Sequence, residues 1–218
     1  MPDGVFVKTY VGLPPFDERE ILRYAGVRGE ADGNVLALLG ECLRECEGAF
    51  SFRACYLEVP VTAELLGESK GLKKNLCGCE RATLFAATVG LGIDRLIAKY
   101  TNVSPAKALL FQAIGAERTE ALCDRLCGEL AAEKAKAGLY PRPRFSPGYG
   151  DFPLERQREF FGLLDCPRKI GLTLTDSLLM SPTKSVTAVV GWSELPKSSA
   201  RGCASCNKKD CDFKEYER

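Results

Sequence analysis

Between Asn34 and about Glu47 the apolar side chains Val35, Leu38, Leu39, Cys42 and Cys46 recur at helical spacing, which predicts an amphipathic helix. A shorter helix is expected over Asp17 to Tyr24, closed by Gly26, with Arg28-Gly29 as a turn. Ser51 to Val59 is rich in β-formers and stops at Pro60, so it reads as a strand, as does Ala82 to Val89. Glu64 to Leu76 between them starts as a helix whose end Ser69, Gly71, Lys73 and Lys74 leave open, and another follows from Ile93 to Tyr100. Ser104-Pro105 supplies an N-cap and a proline at the first helical position. The helical pattern then runs through Leu109, Leu110, Ala113, Ile114, Leu122, Leu126 and Leu130 to about Ala137. Pro141-Arg-Pro-Arg144 ends it, Gly148-Tyr-Gly150 forms a loop, and Leu154 to Leu164 is the last expected helix. Lys169 to Thr175 and Ser185 to Trp192 read as two strands, with Ser181-Pro182-Thr183 between them. Helices and strands mix without strict alternation. The expected fold class is α+β, one domain over residues 1–195 with a twisted antiparallel or mixed sheet flanked by helices. Residues 196–218 form a polar, cysteine-containing tail.

Composition narrows the chemistry. The 218 residues carry 30 Lys and Arg against 29 Asp and Glu, so no basic field draws nucleic acid. No apolar run is long enough to span a membrane, and no secretory leader is evident, so a cytoplasmic chain with reduced thiols is expected. There is no histidine. Serine–histidine and cysteine–histidine catalysis, and imidazole metal sites, are therefore excluded. Among the eleven cysteines, Cys42 with Cys46 and Cys123 with Cys127 lie four apart on expected helices and read as core residues.

Three stretches invite a chemical reading. Arg144-Phe-Ser-Pro-Gly148-Tyr149 places a guanidinium fork before a turn whose backbone can meet a ligand edge. Val89-Gly-Leu-Gly-Ile-Asp94 has two glycines of a nucleotide-type loop but lacks the third and a βαβ frame, so it reads as a turn or close-packing segment. Cys203, Cys206 and Cys211 crowd nine residues of the tail. Thiolates at this spacing suit an iron–sulfur cluster or zinc, with Cys77 or Cys79 as the fourth ligand.

The loop at Arg144 to Tyr149 has the pattern R-x-x-x-G-Y. It is followed by Leu163-Leu-Asp165, by G-x-x-L-T-D-S at Gly171 to Ser177, and by S-V-x-x-x-x-G-W at Ser185 to Trp192. In this the chain resembles the activation domain of vitamin B12-dependent methionine synthase, in a short, free-standing bacterial form. The resemblance is concentrated in residues 142–192. It implies an S-adenosylmethionine-binding accessory module for reductive remethylation of cobalamin. The module would act in trans on a cobalamin-binding module or subunit of methionine synthase, with a flavodoxin or ferredoxin as electron source. It implies that Arg144 pairs with the ligand carboxylate, that the backbone at Ser146 and Gly148 meets adenine and ribose, and that Tyr149 lines the pocket. Glu120 aligns with the family's helical glutamate and would complement the ammonium or sulfonium. The family's early acidic contact falls where Asp17 and Asp32 are the acids at hand, and its late tyrosine has no counterpart. Two alternatives follow from the residues. One is a cysteine-ligated iron–sulfur or zinc protein relaying electrons to a corrinoid protein, the other an interaction domain that has lost its ligand.

Overall fold

The computed structural model describes residues 4–195. Its centre is a five-stranded antiparallel sheet in the order β1-β2-β3-β7-β4, so the mixed alternative falls away. The strands are β1 (Phe6–Tyr10), β2 (Phe52–Pro60), β3 (Arg81–Thr88), β4 (Tyr140–Pro141) and β7 (Ser185–Ser193). A separate two-stranded ribbon pairs β5 (Thr173–Leu174) with β6 (Met180–Ser181).

β3 is buried at every position after Arg81, because both faces of the sheet are covered. Phe85 and Ala87 face one apolar cluster, together with Ala188, Val190 and Trp192 of β7. Against that face pack α1 (Glu18–Tyr24), α2 (Gly33–Glu45), α5 (Gly92–Tyr100) and the long α6 (Pro105–Ala135). Ala82, Leu84 and Ala86 face the second cluster, which is closed by α4 (Lys70–Asn75), α7 (Gln157–Leu164) and α8 (Cys166–Ile170). Period-two alternation thus serves two cores at once, which is why β3 carries a continuous apolar run. Trp192 is buried and satisfies its indole N–H on the Thr83 hydroxyl at 2.8 Å.

Three local readings change, and a fourth is met. β1 is an additional edge strand, and its half-exposed side chains give no clean hydrophobic alternation. The expected Glu64–Leu76 helix splits into α3 (Ala63–Leu66) and α4 because Gly67 leaves the helical region at φ +52°. The expected strand over Lys169 to Thr175 is replaced by α8 and the two-residue β5. Pro167 opens α8 and Gly171, in the left-handed region at φ +70°, closes it. The glycine-rich segment at Val89 to Asp94 is a close-packing device: a Cβ on Gly92 would stand 1.9 Å from the Ala49 carbonyl oxygen.

α6 is 31 residues, roughly 46 Å at 1.5 Å per residue. Its middle buries the adjacent pair Glu117 and Arg118, which sequence patterning did not mark. Arg118 also donates to the Pro14 and Pro15 carbonyls at 2.6 and 3.1 Å and lies over the Phe16 ring. The Glu117 carboxylate accepts from the Asp17 N–H at 3.3 Å. One buried ion pair therefore fastens the segment before α1 to the long helix.

Candidate functional site

Chain leaving α6 runs back along the outer edge of β7, and its pairing contains an irregularity that aims Arg144. Tyr140 and Pro141 pair with Ser193 and Trp192, and the Arg142 N–H reaches the Gly191 carbonyl at 2.8 Å. Phe145 then pairs with Val189 through two hydrogen bonds. Pro143 and Arg144 together therefore span the single residue Val190, which makes a β-bulge. Such an extra residue re-aims side chains at a sheet edge, and proline fits there because it has no N–H to leave unpaired.

The bulge sends Arg144 toward α6. Its Nη2 donates to Glu120 Oε2 at 2.8 Å and to Asp124 Oδ1 at 2.9 Å. Glu120 and Asp124 are one helical turn apart on α6, on the same stripe as Cys127. Cys123 and Cys127 lie beside the guanidinium, and burial pushes the Cys123 thiol far up and that of Cys127 up to about 11. They are inert packing groups under the site. The same holds for Cys42 and Cys46, raised by burial to about 11 and about 12.

Glu120, Arg144, Ser146, Val186 and Ala188 line an open cavity of about 210 Å³. A second cavity of similar size shares Glu120 and Val186 and continues past Tyr24, Thr119 and Lys184. Glu120 stands where the two lobes of this groove meet. Lys184 is a lining residue that motif reading missed. Its stem lies across Gly115 of α6, where a Cβ would come within 2.9 Å, and burial lowers its ammonium pKa, partly offset by Asp94. Asp94, from the glycine-rich segment, accepts from the Thr183 N–H at 2.8 Å and so fixes the residue beside Lys184.

Ser146 to Tyr149 is a β-turn closed by the Tyr149 N–H on the Ser146 carbonyl at 3.0 Å. Pro147 occupies its second position and Gly148 its third at φ +88°, the type II arrangement. The turn is held at its far side by Asp151. That carboxylate accepts from Ser69 Oγ at 2.6 Å and from the N–H groups of Lys70 and Gly71 at the start of α4. The Ser69 bond, with these amides, holds its pKa below the usual carboxylate range. Phe152 next to it is buried in the second core. The structure thus brings Glu120, Arg144 and Ser146 to one cavity, Glu120 on the helix wall and the other two on the sheet wall. Gly148 shapes the adjoining turn, and the exposed Tyr149 ring stands edge-on to Phe145 at 5.4 Å.

Asp17 and Asp32 are both engaged as helix caps, accepting from the first N–H groups of α1 and α2. Cys203, Cys206 and Cys211 lie outside the described residues. Among the described residues no group of three or more Cys, Asp or Glu side chains is arranged to hold a metal. Nor is any helix among them long and apolar enough to cross a membrane.

The family described as vitamin B12-dependent methionine synthase, activation domain, matches residues 73–215, well over half of the chain and the whole of the Arg144 groove but for Tyr24. The chain belongs to this family. Among solved structures, the fold is similar to that of the MetH reactivation domain bound to AdoHcy, with a TM-score of 0.61 at 16% identity. The likeness covers 91% of this chain and 80% of that one. No curated protein matches. Within this activation domain, the motifs Arg144–Tyr149 and Ser185–Trp192 fall on the bulge, the turn and β7, the elements that build the groove's outer wall, whereas Leu163–Asp165 and Gly171–Ser177 fall at the end of α7 and around β5.

Proposed function

We propose that this activation domain binds S-adenosylmethionine in the groove between α6 and β7 and presents its methyl group to cobalamin carried by a partner module. The observation that carries the reading is the state of Arg144. Both of its bonds to carboxylates leave from Nη2, so among the described residues no carboxylate engages Nε or Nη1, and these remain for the ligand's carboxylate. Ser146 Oγ beside it has none either, and supplies a further donor or acceptor to the ligand. Glu120, one wall away, complements the ligand's positive end.

When bound, adenosylmethionine supplies the methyl and the partner's cobalamin accepts it. The chain's own residues bind and orient. Arg144 fixes the carboxylate, Glu120 both clamps Arg144 and faces the cationic end, and the Ser146–Tyr149 backbone offers an edge to adenine and ribose. No proton transfer by the protein is needed, in keeping with a sequence that lacks histidine. The domain acts in trans on a methionine synthase module that holds the corrinoid, with a reduced flavodoxin or ferredoxin as electron source.

Calorimetric titration of adenosylmethionine into the full chain tests the reading. Saturable binding is expected, and Arg144→Ala should weaken it by about 1.5–3 kcal/mol, the worth of a charged hydrogen bond. Absence of binding both by the wild-type chain alone and with its cobalamin-binding partner would overturn it.

A further inference from the structure

The lobe of the groove beyond Glu120 has a chemistry of its own. Lys184 stands immediately before β7, and its stem crosses α6 at Gly115. Among the described residues no carboxylate lies within ion-pair distance of its Nζ, and Asp94 acts on it only through its field. Burial lowers the ammonium pKa, so this lysine is short of water as well as of a counter-charge. Its N–H donors line the lobe without a charged partner.

The hydroxyls around it have the opposite character. The Thr119 hydroxyl donates its proton to the Gly115 carbonyl at 2.8 Å. That of Ser185 is committed to the Pro182 carbonyl at 2.7 Å, which can only accept. Both oxygens line the lobe and retain lone pairs for a ligand. The Glu120 carboxylate lines it too. A phosphate or a second carboxylate brings acceptors alone and meets Glu120 at close range, so the lobe disfavours it. A neutral group with adjacent hydroxyls accepts from Lys184 and donates to Thr119 or Ser185. That chemistry fits.

The reach is right as well. Lys184 precedes Ala188, which lines the Arg144 lobe, by four residues, about 14 Å of extended chain at about 3.4 Å per residue. Val186 lies between them and lines both lobes. A ligand whose carboxylate is held by Arg144 therefore runs past Glu120 and brings its far end toward Lys184. Tyr24, the last residue of α1, adds an aromatic ring to that end from outside residues 73–215. We propose that Lys184 is a specificity-determining residue for the nucleoside end of adenosylmethionine: Nζ donates to the ribose diol, the diol donates to the Thr119 and Ser185 oxygens, and the Tyr24 ring lies beside the base. The assignment rests on the adenosylmethionine reading and adds to it a lysine that lies outside the Arg144 loop. The lobe and the Ser146–Tyr149 turn then hold the nucleoside from two sides, and the groove prefers an adenosyl compound to a plain amino acid with the same carboxylate.

The test is calorimetry on the full chain with Lys184→Met, which keeps an apolar stem over Gly115 and removes the ammonium. Adenosylmethionine and S-adenosylhomocysteine should both bind about tenfold or more weakly, because they share the ribose and a charged hydrogen bond is lost. The 2′,3′-dideoxy analogue of S-adenosylhomocysteine lacks the diol, so the same substitution should change its affinity less than about twofold. Equal losses for the parent and the dideoxy compound overturn the assignment, since Lys184 would then act through the shape of the lobe. Inorganic phosphate that competes with S-adenosylhomocysteine in the wild type but not in Lys184→Met overturns it too, making the lobe an anion site. Unchanged adenosylmethionine affinity in Lys184→Met also overturns it, and a loss in Arg144→Ala beside that result leaves the carboxylate reading standing. Absence of adenosylmethionine binding by the wild type, alone and with its cobalamin-binding partner, overturns both.

Discussion

Glu120 on the long helix and Arg144 in the β7-edge bulge meet at 2.8 Å, and this contact joins the two walls of the groove. It uses a single guanidinium nitrogen. The helix side supplies the carboxylate, the sheet side the cation, and both line the cavity.

Replacing Glu120 by Gln should therefore act on ligand and wall together. Adenosylmethionine affinity is expected to fall by about 1–2 kcal/mol, roughly five- to thirtyfold. S-adenosylhomocysteine, which lacks the sulfonium charge, should lose less. Asp124→Asn, at a carboxylate 75% exposed, should cost under about threefold because water screens that pair. Calorimetry with both ligands distinguishes these outcomes, and equal losses for the two ligands would place Glu120 on the ammonium instead.

Gly148→Ala puts a β-carbon on a residue at φ +88° and brings it 3.0 Å from Leu154 Cδ1. The left-handed conformation alone costs about 1–2 kcal/mol for a non-glycine residue. Thermal unfolding should show that loss, and adenosylmethionine binding should weaken because the turn beside Arg144 shifts. A melting temperature equal to wild type would mean the turn relaxes freely.

Arg118→Met removes one partner of the buried pair and leaves Glu117 uncompensated inside the fold. A loss of about 3–5 kcal/mol is expected in urea unfolding. The double variant Glu117→Gln/Arg118→Met should recover most of it, since it strands no charge. A double variant as unstable as the single one would show that the Pro14 and Pro15 carbonyl contacts matter more than the charge.

The buried thiols make the fold sensitive to alkali. Cys42 and Cys127 are raised to about 11 and Cys46 to about 12 in the folded state, against a reference near 9. Above that reference the unfolded chain releases thiol protons that the folded chain keeps, so it binds fewer protons and stability falls as pH rises. The contribution is complete below pH 9 and disappears progressively toward pH 11–12. Urea midpoints measured under reductant from pH 7.5 to 10.5 should be flat and then decline. At pH 8 a thiol reagent should label Cys77 well before these core cysteines.

Local patterning determined much of this protein. Helical spacing gave α2 and α6, β-rich runs gave β2, β3 and β7, and the Pro147-Gly148 pair announced the turn, because each of these depends on neighbours within a few residues. Arg144 stood out from the turn it precedes, the resemblance to the activation domain added Glu120 and Ser146, and helical spacing placed Cys42, Cys46, Cys123 and Cys127 in the core. Only the tertiary structure decided the rest. The edge strand β1 owes its form to pairing with β2. Asp17 and Asp32 are spent on helix caps. The bulge at Pro143-Arg144 exists only in register against Val190. Lys184 joins the groove because Gly115, some seventy residues earlier, lets its stem pass. Those features depend on contacts between distant segments, whose geometry no local pattern encodes, and they decide where the charges of the groove point.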